Sequence, residues 1–309
     1  MPSTKSTAPS VRPDDLAALI PSWRRSLDAE HKSARTIQSY DEAARQFVAF
    51  LTSTGMPQVV ASIRREHVEA FLVDLRERGL SASTAANRYR SLQQLFRWLE
   101  DEGEIERSPM TKMRPPTVGE QPVDVLTDDE LRLLFAARKG NTYEDRRDTA
   151  VLRILVSTGA RVGELAGLQV GDLDLDAREA FVTGKGSRGR VLPLSPKTIK
   201  ALDRYLRHRV GHPHADEPWL WLGKRGRMGV SGVAQILRKL GADAGVEHVH
   251  AHRFRHTFAH SWLSSGGTEG DLMRLAGWRS RDMLGRYGAS AADSRAREAH
   301  ARHGPGESL

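Results

Sequence analysis

The sequence predicts a mainly α-helical protein with a small β-sheet, in which an N-terminal helical bundle precedes a mixed α/β domain. Apolar residues recur at three- and four-residue spacing from Asp14 to about Glu106, which is the periodicity of amphipathic helices. Prolines interrupt this pattern between Ser108 and Pro122. Further along, residues 180–194 have the character of a strand pair. At 309 residues, the chain is long enough for two domains that each bury a core.

Four helices are predicted in the first domain, residues 14–107. Ser33 begins the second of them, and Ser83 or Thr84 caps the last. Amphipathic helices of this length form compact bundles. Their expected apolar faces contain Trp23, Leu27, Tyr40, Ala44, Phe47, Phe50, Leu51, Val68, Phe71, Leu72, Leu75, Tyr89, Leu92, Leu95, Phe96 and Leu99.

Two segments outside the bundle are expected to lack regular structure. Residues 1–13 are rich in Ser, Thr and Pro but have no apolar centre, so we expect a disordered leader and not a secretory signal. Residues 108–122 contain four prolines, which predicts an extended linker between the domains. The second domain is therefore expected over residues 123–309, with an Ala/Arg/His-rich tail from Ala291.

The second domain is predicted to begin with a helix capped by Thr127, because Glu130 at the third helical position completes a capping box. Strands over residues 180–183 and 190–194 would pair through a glycine-containing turn, residues 184–189. Further helices are predicted over residues 148–158, 162–168, 197–209, 232–244, 252–265 and 269–276.

Composition restricts the classes of function. The net charge of +8 and the pI of about 10.0 favour polyanionic partners. Residues 1–120 contain 17 basic and 16 acidic side chains, whereas residues 121–309 contain 30 and 23, so the excess lies in the second domain. The absence of cysteine excludes disulfides, thiolate nucleophiles and cysteine-based zinc sites. The sequence has no apolar run of about 18 residues, and we expect a cytoplasmic protein without membrane partners.

Arg161 is a candidate phosphate ligand. The preceding Gly159 indicates the start of a helix, where backbone amides favour an anion, and a guanidinium can bind two phosphate oxygens at once. Glu164, three residues later, could orient a neighbouring side chain. Taken alone, the two residues are more simply interpreted as a structural ion pair.

Lys185 lies in the glycine-rich turn of the predicted strand pair, within Thr-Gly-Lys-Gly-Ser-Arg-Gly-Arg. Glycines let such a turn approach DNA closely. An ammonium whose pKa is lowered by other cations could protonate a departing oxygen. Taken alone, however, the segment is more typical of a solvated basic turn, and it does not match a P-loop.

The histidine-rich segment His248–His260 invites interpretation as a metal site. Three of its histidines lie four residues apart and would share one helix face. However, no glutamate follows the first as in His-Glu-x-x-His, and two interleaved arginines would repel a cation. We therefore expect no metal. His252 and Arg255, three residues apart, would instead present an imidazole and a guanidinium to a phosphate.

Trp278, after a glycine, and Tyr287, nine residues further on, would each be ordinary packing residues if taken alone. The joint spacing changes this interpretation. Arg161 precedes Lys185 by 24 residues, and Arg255 precedes Tyr287 by 32. With the Ala-Arg-x-x-Glu-Leu context, this pattern resembles the tyrosine recombinase (phage integrase) family. The resemblance covers nearly the whole chain, because the first helical domain looks like that family's core-binding domain.

The resemblance implies a metal-free and cofactor-free reaction in which a tyrosine attacks a DNA phosphodiester, giving a 3′-phosphotyrosyl link and a 5′-hydroxyl. By position, Tyr287 would be the nucleophile. Arg161 and Arg255 would stabilise charge on the non-bridging oxygens in the transition state. Lys185 would be the general acid for the leaving 5′-oxygen, and His252 would be the general base or would orient the tyrosine.

Two positions would support this site. Trp278 stands where the family often has a histidine, and an indole donates a hydrogen bond but transfers no proton. Glu164 would brace the arginines. In the first domain, Arg88, Arg90 and Arg97 surround an apolar stripe and are candidates for DNA contacts, although a solvated helix face explains them equally well.

The resemblance also implies double-stranded DNA as substrate and a tetramer on DNA, with the tail of residues 291–309 docking on a neighbouring subunit. Two alternatives remain open from the sequence. A type IB topoisomerase shares the chemistry but relaxes supercoils. A catalytically silent, sequence-specific DNA-binding protein would retain only the binding functions.

Overall fold

The computed structural model describes residues 12–119, 123–184, 188–278, 280, 281, 284 and 300. The chain divides into two compact units, Met1–Glu120 and Gln121–Leu309. The described part of the first unit is helical, and the second unit adds a three-stranded and a two-stranded antiparallel sheet to its helices. The predicted fold class, mainly helical with a small sheet, is confirmed.

The first unit contains the four predicted helices. Ser33 Oγ accepts a hydrogen bond from the Thr36 amide at 3.1 Å, as expected for the cap of the second helix. The cap of the fourth helix is Ser81, whose Oγ accepts from the Thr84 amide at 3.2 Å. The prediction of Ser83 or Thr84 was wrong, because these residues already lie in the first turn. The helices are α1 (Leu16–Ala29), α2 (Ala34–Ser53), α3 (Arg65–Glu77) and α4 (Ala82–Asp101).

The core of the first unit extends beyond the last helix. Met110 is 1% exposed and belongs to the same apolar cluster as Phe47 and Leu95. The Tyr89 hydroxyl donates a hydrogen bond to the Met113 carbonyl at 2.8 Å. Both methionines fall in the predicted linker, where helical periodicity has ended. Their burial shows that the start of this segment packs on the bundle.

The second unit has seven helices and five strands among its described residues. Thr127 and Glu130 form the predicted capping box. The next helix begins earlier than predicted, because Thr142 caps it. The elements are α5 (Asp128–Ala136), α6 (Tyr143–Thr158), α7 (Val162–Ala166), β1 (Leu173–Asp174), β2 (Glu179–Gly184), β3 (Arg188–Pro193), α8 (Pro196–Arg209), β4 (Leu222–Gly223), β5 (Gly226–Arg227), α9 (Val230–Ala244), α10 (Ala251–Ser264) and α11 (Glu269–Ala276).

The larger sheet has the order β1-β2-β3, and all its pairs are antiparallel. Ala180 and Val182 are buried, whereas Phe181 between them is exposed, so one face of the sheet covers the core. Val182 pairs with Arg190 on β3. Arg190 therefore occupies a position on the inward face, in phase with buried Leu192.

Helix α6 lies at the centre of the second unit and packs against both α8 and α10. Its apolar residues belong to a large cluster that also includes Trp221. The Trp221 indole donates to the Leu165 carbonyl at 2.7 Å, which ties α7 to this cluster. None of the described helices is both long and apolar enough to span a bilayer.

Helix α10 is anchored through Arg253, whose side chain is 9% exposed. Its guanidinium donates to Asp124 Oδ1 at 2.8 Å and to Glu130 Oε1 at 2.9 Å. It also donates to the carbonyls of Val125 and Glu247. One buried cation thus joins the segment before α5 to the first turn of α10.

We expect Arg253→Ala to destabilise the second unit by about 2–4 kcal/mol, because it removes these hydrogen bonds and leaves two carboxylates without their partner. The exposed pair between Arg207 and Asp203 provides a control, and Arg207→Ala should cost about 0.5 kcal/mol or less. Urea unfolding of the full chain, with hydrogen–deuterium exchange of α10, measures both. If Arg253→Ala and Arg207→Ala lowered the free energy of unfolding equally, Arg253 would not be an anchor of α10.

His256, on the same helix, is half-buried, and its ring lies 4.1 Å from that of His252, centroid to centroid. Burial, together with the neighbouring His252, His250 and Arg255, lowers the pKa of His256 to about 4. The neutral imidazole is therefore the form that the folded protein favours.

This shift predicts a pH dependence of stability. The unfolded chain takes up a proton at His256 near pH 6.5 and the folded chain only near pH 4, so the free energy of unfolding should fall as the pH drops through this interval. After allowance for solvent screening, we expect a loss of about 1–2 kcal/mol. Denaturation at a series of pH values measures this dependence, and the free energy of unfolding should change less steeply with pH for His256→Gln than for the wild type. An unchanged slope would contradict the assignment.

Candidate active site

Arg161 and Arg255 come from different parts of the second unit. Helix α6 ends at Gly159, which has the left-handed conformation with φ of 57°, and the chain turns so that Arg161 immediately precedes α7. A helix commonly ends at such a glycine because its backbone adopts positive φ without strain. Arg255 lies in the second turn of α10 and is 3% exposed.

Consecutive backbone carbonyls bring the two arginines together. Arg255 Nη2 donates to the Ala276 carbonyl at 2.7 Å, and Arg161 Nη2 donates to the Gly277 carbonyl at 2.9 Å. Arg255 Nη1 also donates to the Gly159 carbonyl at 2.8 Å. The end of α11 therefore holds both guanidiniums through neutral carbonyl acceptors, and the end of α6 holds Arg255 in the same way.

Glu164 links Arg161 to a third arginine. Its Oε1 accepts from Arg161 Nη1 at 2.8 Å, and its Oε2 accepts from Arg190 Nη2 at 2.7 Å and from the Arg161 amide at 2.9 Å. The Glu164 side chain is 3% exposed. Burial would raise the pKa of Glu164, but the hydrogen bonds from Arg190 and Arg161 outweigh it and hold the pKa below its ordinary value. Glu164 is thus a buried carboxylate between two guanidiniums.

Sequence reasoning did not identify Arg190. A signal was present in the sequence, because Arg190 and Leu192 alternate along β3, and alternation places both on the inward face. An arginine at an inward position needs an acidic or carbonyl partner. Only the fold shows that this partner is Glu164.

Gly277 lies beside the side chains of Arg161 and Arg190. It follows α11 with φ of 64°, and a Cβ there would lie 3.2 Å from Arg190 Nε and 3.3 Å from Arg161 Nη1. Both the conformation and the space therefore favour glycine. Trp278 follows it, is 7% exposed, and packs with Leu272 and other apolar residues. The Arg255 guanidinium carbon lies 5.2 Å from the Trp278 ring centroid, within the range of a cation–π contact.

The histidines lie beside this cluster on α10. His252 is exposed in the first turn, three residues before Arg255. His250 caps the helix, and its Nδ1 accepts from the Arg253 amide at 3.2 Å. Within the described ranges, no group of three or more His, Asp or Glu side chains is arranged to hold a metal ion.

Two predicted site residues, Lys185 and Tyr287, lie outside the described residues. In sequence, Lys185 falls between the last residue of β2 and the first of β3, and Tyr287 follows Trp278 by nine positions. The structure therefore brings together Arg161, Glu164 and Arg255 with Trp278.

The three arginines of the first unit that are candidates for DNA contacts, Arg88, Arg90 and Arg97, differ in their exposure. Arg88 is mostly buried and pairs with Glu42 on α2, so its expected role in contacting DNA is revised to one of joining two helices. The Arg90 guanidinium donates to Asn87 Oδ1 at 3.2 Å on the surface, and Arg97 is exposed. Only Arg90 and Arg97 keep the exposure that a phosphate contact requires.

Comparison with known proteins identifies relatives of both units. The model of the phage integrase family matches residues 124–294, and that of the phage integrase N-terminal SAM-like domain matches residues 19–104. Tyrosine recombinase XerC of Oceanobacillus iheyensis is 30% identical over 257 residues, which cover 81% of this chain and 84% of the relative.

Solved structures share the fold. The XerH site-specific recombinase bound to palindromic difH substrate gives a TM-score of 0.74 at 18% identity, covering 92% of this chain and 84% of that one. A lambda integrase tetramer bound to a Holliday junction gives a TM-score of 0.67 at 18% identity, covering 88% and 78%. The family models and the XerC relative show that this chain belongs to the tyrosine recombinase (phage integrase) family, whose members are site-specific recombinases.

Proposed function

We propose that this site-specific recombinase cuts and rejoins duplex DNA through a 3′-phosphotyrosyl intermediate formed on Tyr287. The observation that carries the proposal is the attachment of Arg161 and Arg255 to the consecutive carbonyls of Ala276 and Gly277. Two cations held at adjacent carbonyls, with Glu164 as a further partner of Arg161, suit a transition state in which negative charge develops on a phosphate. A covalent intermediate conserves the energy of the broken bond, so rejoining needs no nucleotide cofactor.

Arg161 is the better exposed of the two arginines. Its side chain is 45% exposed, and its contacts with Glu164 and Gly277 use two of its five N–H donors. The remaining donors can bind the non-bridging oxygens of a phosphodiester. Arg255, which is more deeply buried, contributes its charge from the neighbouring carbonyl of Ala276.

The remaining roles follow from the chemistry of the side chains. Tyr287 attacks the phosphorus as the bond to the 5′-oxygen breaks. Lys185 gives a proton to that leaving oxygen, and His252 accepts the tyrosine proton or orients the hydroxyl. Trp278 supports the site through packing and through its indole N–H, and no metal or cofactor is required.

DNA and further copies of the chain are the proposed partners. A core-binding domain, residues 14–107, and a catalytic domain, residues 123–309, would hold the duplex, with Arg90 and Arg97 on its backbone. Lambda integrase forms a tetramer on a Holliday junction, and we propose the same assembly here, with residues 291–309 docking on a neighbouring copy. Because the substrate is DNA, we place the protein in the cytoplasm.

Tyr287→Phe should abolish covalent protein–DNA adducts, because phenylalanine has no oxygen to attack phosphorus. The DNA would be a pool of random-sequence duplexes nicked at random positions. Where a nick lies close to a cleaved bond, the short fragment diffuses away and traps the adduct, so the wild-type protein should first yield adducts from this pool. The measurement is adduct recovery in denaturing gels. Tyr40→Phe serves as the control, because Tyr40 stacks on Trp23 in the first unit and its loss of a hydroxyl should leave adducts unchanged. Adducts from the Tyr287→Phe protein would refute the proposed nucleophile.

Arg190 and Glu164 should act as one positioning unit for Arg161. We expect Arg190→Gln and Glu164→Gln each to lower the cleavage rate on the order of 10- to 100-fold, because each removes part of the network that fixes the Arg161 guanidinium. The double variant should be little slower than the slower single variant.

The measurement for this pair is the single-turnover cleavage rate at saturating DNA, together with the DNA affinity. A positioning role lowers the rate and leaves the affinity within a few-fold, whereas loss of folding lowers both. Arg190→Lys, which keeps the charge but not the planar guanidinium, should fall between the wild type and Arg190→Gln. If the reduction in cleavage rate of the double variant equalled the product of the two single reductions, the two residues would act separately.

A further inference from the structure

Helices α6 and α8 enclose a basic groove that contains none of the residues assigned above. Its volume is about 270 Å³. Five of the seven side chains that line it are cationic. They are Arg146 and Arg153 from α6, and Lys197, Lys200 and Arg204 from α8. We call these five residues the groove cations.

The groove cations have no carboxylate partner among the residues that the structure describes. The nearby acids are already engaged, since Asp148 pairs with Arg138 and Arg147, and Asp203 pairs with Arg207. The groove cations repel one another because they carry the same charge and line one groove. The groove thus concentrates positive charge, and no described carboxylate of the second unit forms an ion pair with it.

Arg153 shows that this charge is partly withdrawn from water. Its guanidinium carbon lies 4.0 Å from the centroid of the Phe135 ring, and burial lowers the pKa of Arg153 below its ordinary value. Thr149 and Ala201 complete the lining, so the groove offers no large apolar pocket. An acidic peptide usually needs such pockets for its side chains, whereas a phosphate backbone requires only cations and hydrogen-bond donors.

We propose that the groove cations bind the phosphodiester backbone of DNA, at phosphates other than the one cleaved. This proposal rests on the proposed function, which makes DNA the substrate of the second unit. Arg153 lies five residues before Thr158, the last residue of α6, so the near end of the groove lies about 7.5 Å along the helix from the end of α6, where the Gly159 carbonyl holds Arg255. That distance equals roughly two base-pair rises.

The test compares two triple variants of the full chain. Lys197→Gln/Lys200→Gln/Arg204→Gln removes three exposed groove cations from α8 and leaves Arg153 on Phe135. Arg132→Gln/Arg207→Gln/Arg238→Gln removes the same charge from exposed positions of the second unit outside the groove. The probe is an intact random-sequence duplex of roughly 30 base pairs, and its affinity is measured by fluorescence anisotropy over a range of salt concentrations.

The groove variant should lose affinity on the order of 100-fold near 0.1 M salt, and its slope of log K against log [salt] should be smaller by about 2 to 3. The control variant should change the slope by less than about 1. Equal slopes for the two variants would overturn the proposal and favour an acidic protein segment as the ligand. Because the affinity for an intact duplex does not require cleavage, this result is independent of whether Tyr287 is the nucleophile.

Discussion

The buried carboxylate of Glu164 is the constraint on which the candidate active site depends. An ionised carboxylate is stable at this depth only while cations and amides surround it, and here Arg161 and Arg190 supply them. The same contacts fix the Arg161 guanidinium at the start of α7. The energetic requirement of one buried acid therefore becomes a geometric requirement on Arg161, the proposed phosphate ligand, and β3 takes part in the site because it carries Arg190.

Helix ends supply the second half of this constraint. The last carbonyls of a helix lack partners within the helix and carry partial negative charge. Arg255 donates to Gly159 after α6 and to Ala276 at the end of α11, so it satisfies two such ends at once. These acceptors hold the guanidinium at the junction of α6, α10 and α11. Since the contacts join segments far apart in sequence, the site forms only when α6, α10 and α11 have packed.

The sequence was sufficient for features that depend on local chemistry and insufficient for those that depend on tertiary contacts. Capping rules located Thr127 and Ser33, and helical periodicity gave α11 its observed bounds, Glu269–Ala276. Strands of two residues, such as β4 and β5, are too short for an alternating pattern. Arg190 was missed because its role depends on an acid 26 residues earlier in sequence, which periodicity cannot reveal. The joint motif predicted a site that contains Arg161 and Arg255, and the structure holds both side chains at the adjacent carbonyls of Gly277 and Ala276; their shared role in catalysis stays a prediction.

Helix α6 relates the candidate active site to the groove cations. It is buried between α8 and α10, and a packed helix keeps a fixed rise of about 1.5 Å per residue. Arg146 and Arg153 on this helix are therefore held at set distances from its end at Thr158, which Gly159 and Arg161 follow. If the groove binds backbone phosphates, the same rigid element determines which phosphate reaches the arginine pair. A groove formed by α6 and α8 can thus affect the position of cleavage without contacting the reacting atoms, because binding energy gained at distant phosphates fixes the register of the strand.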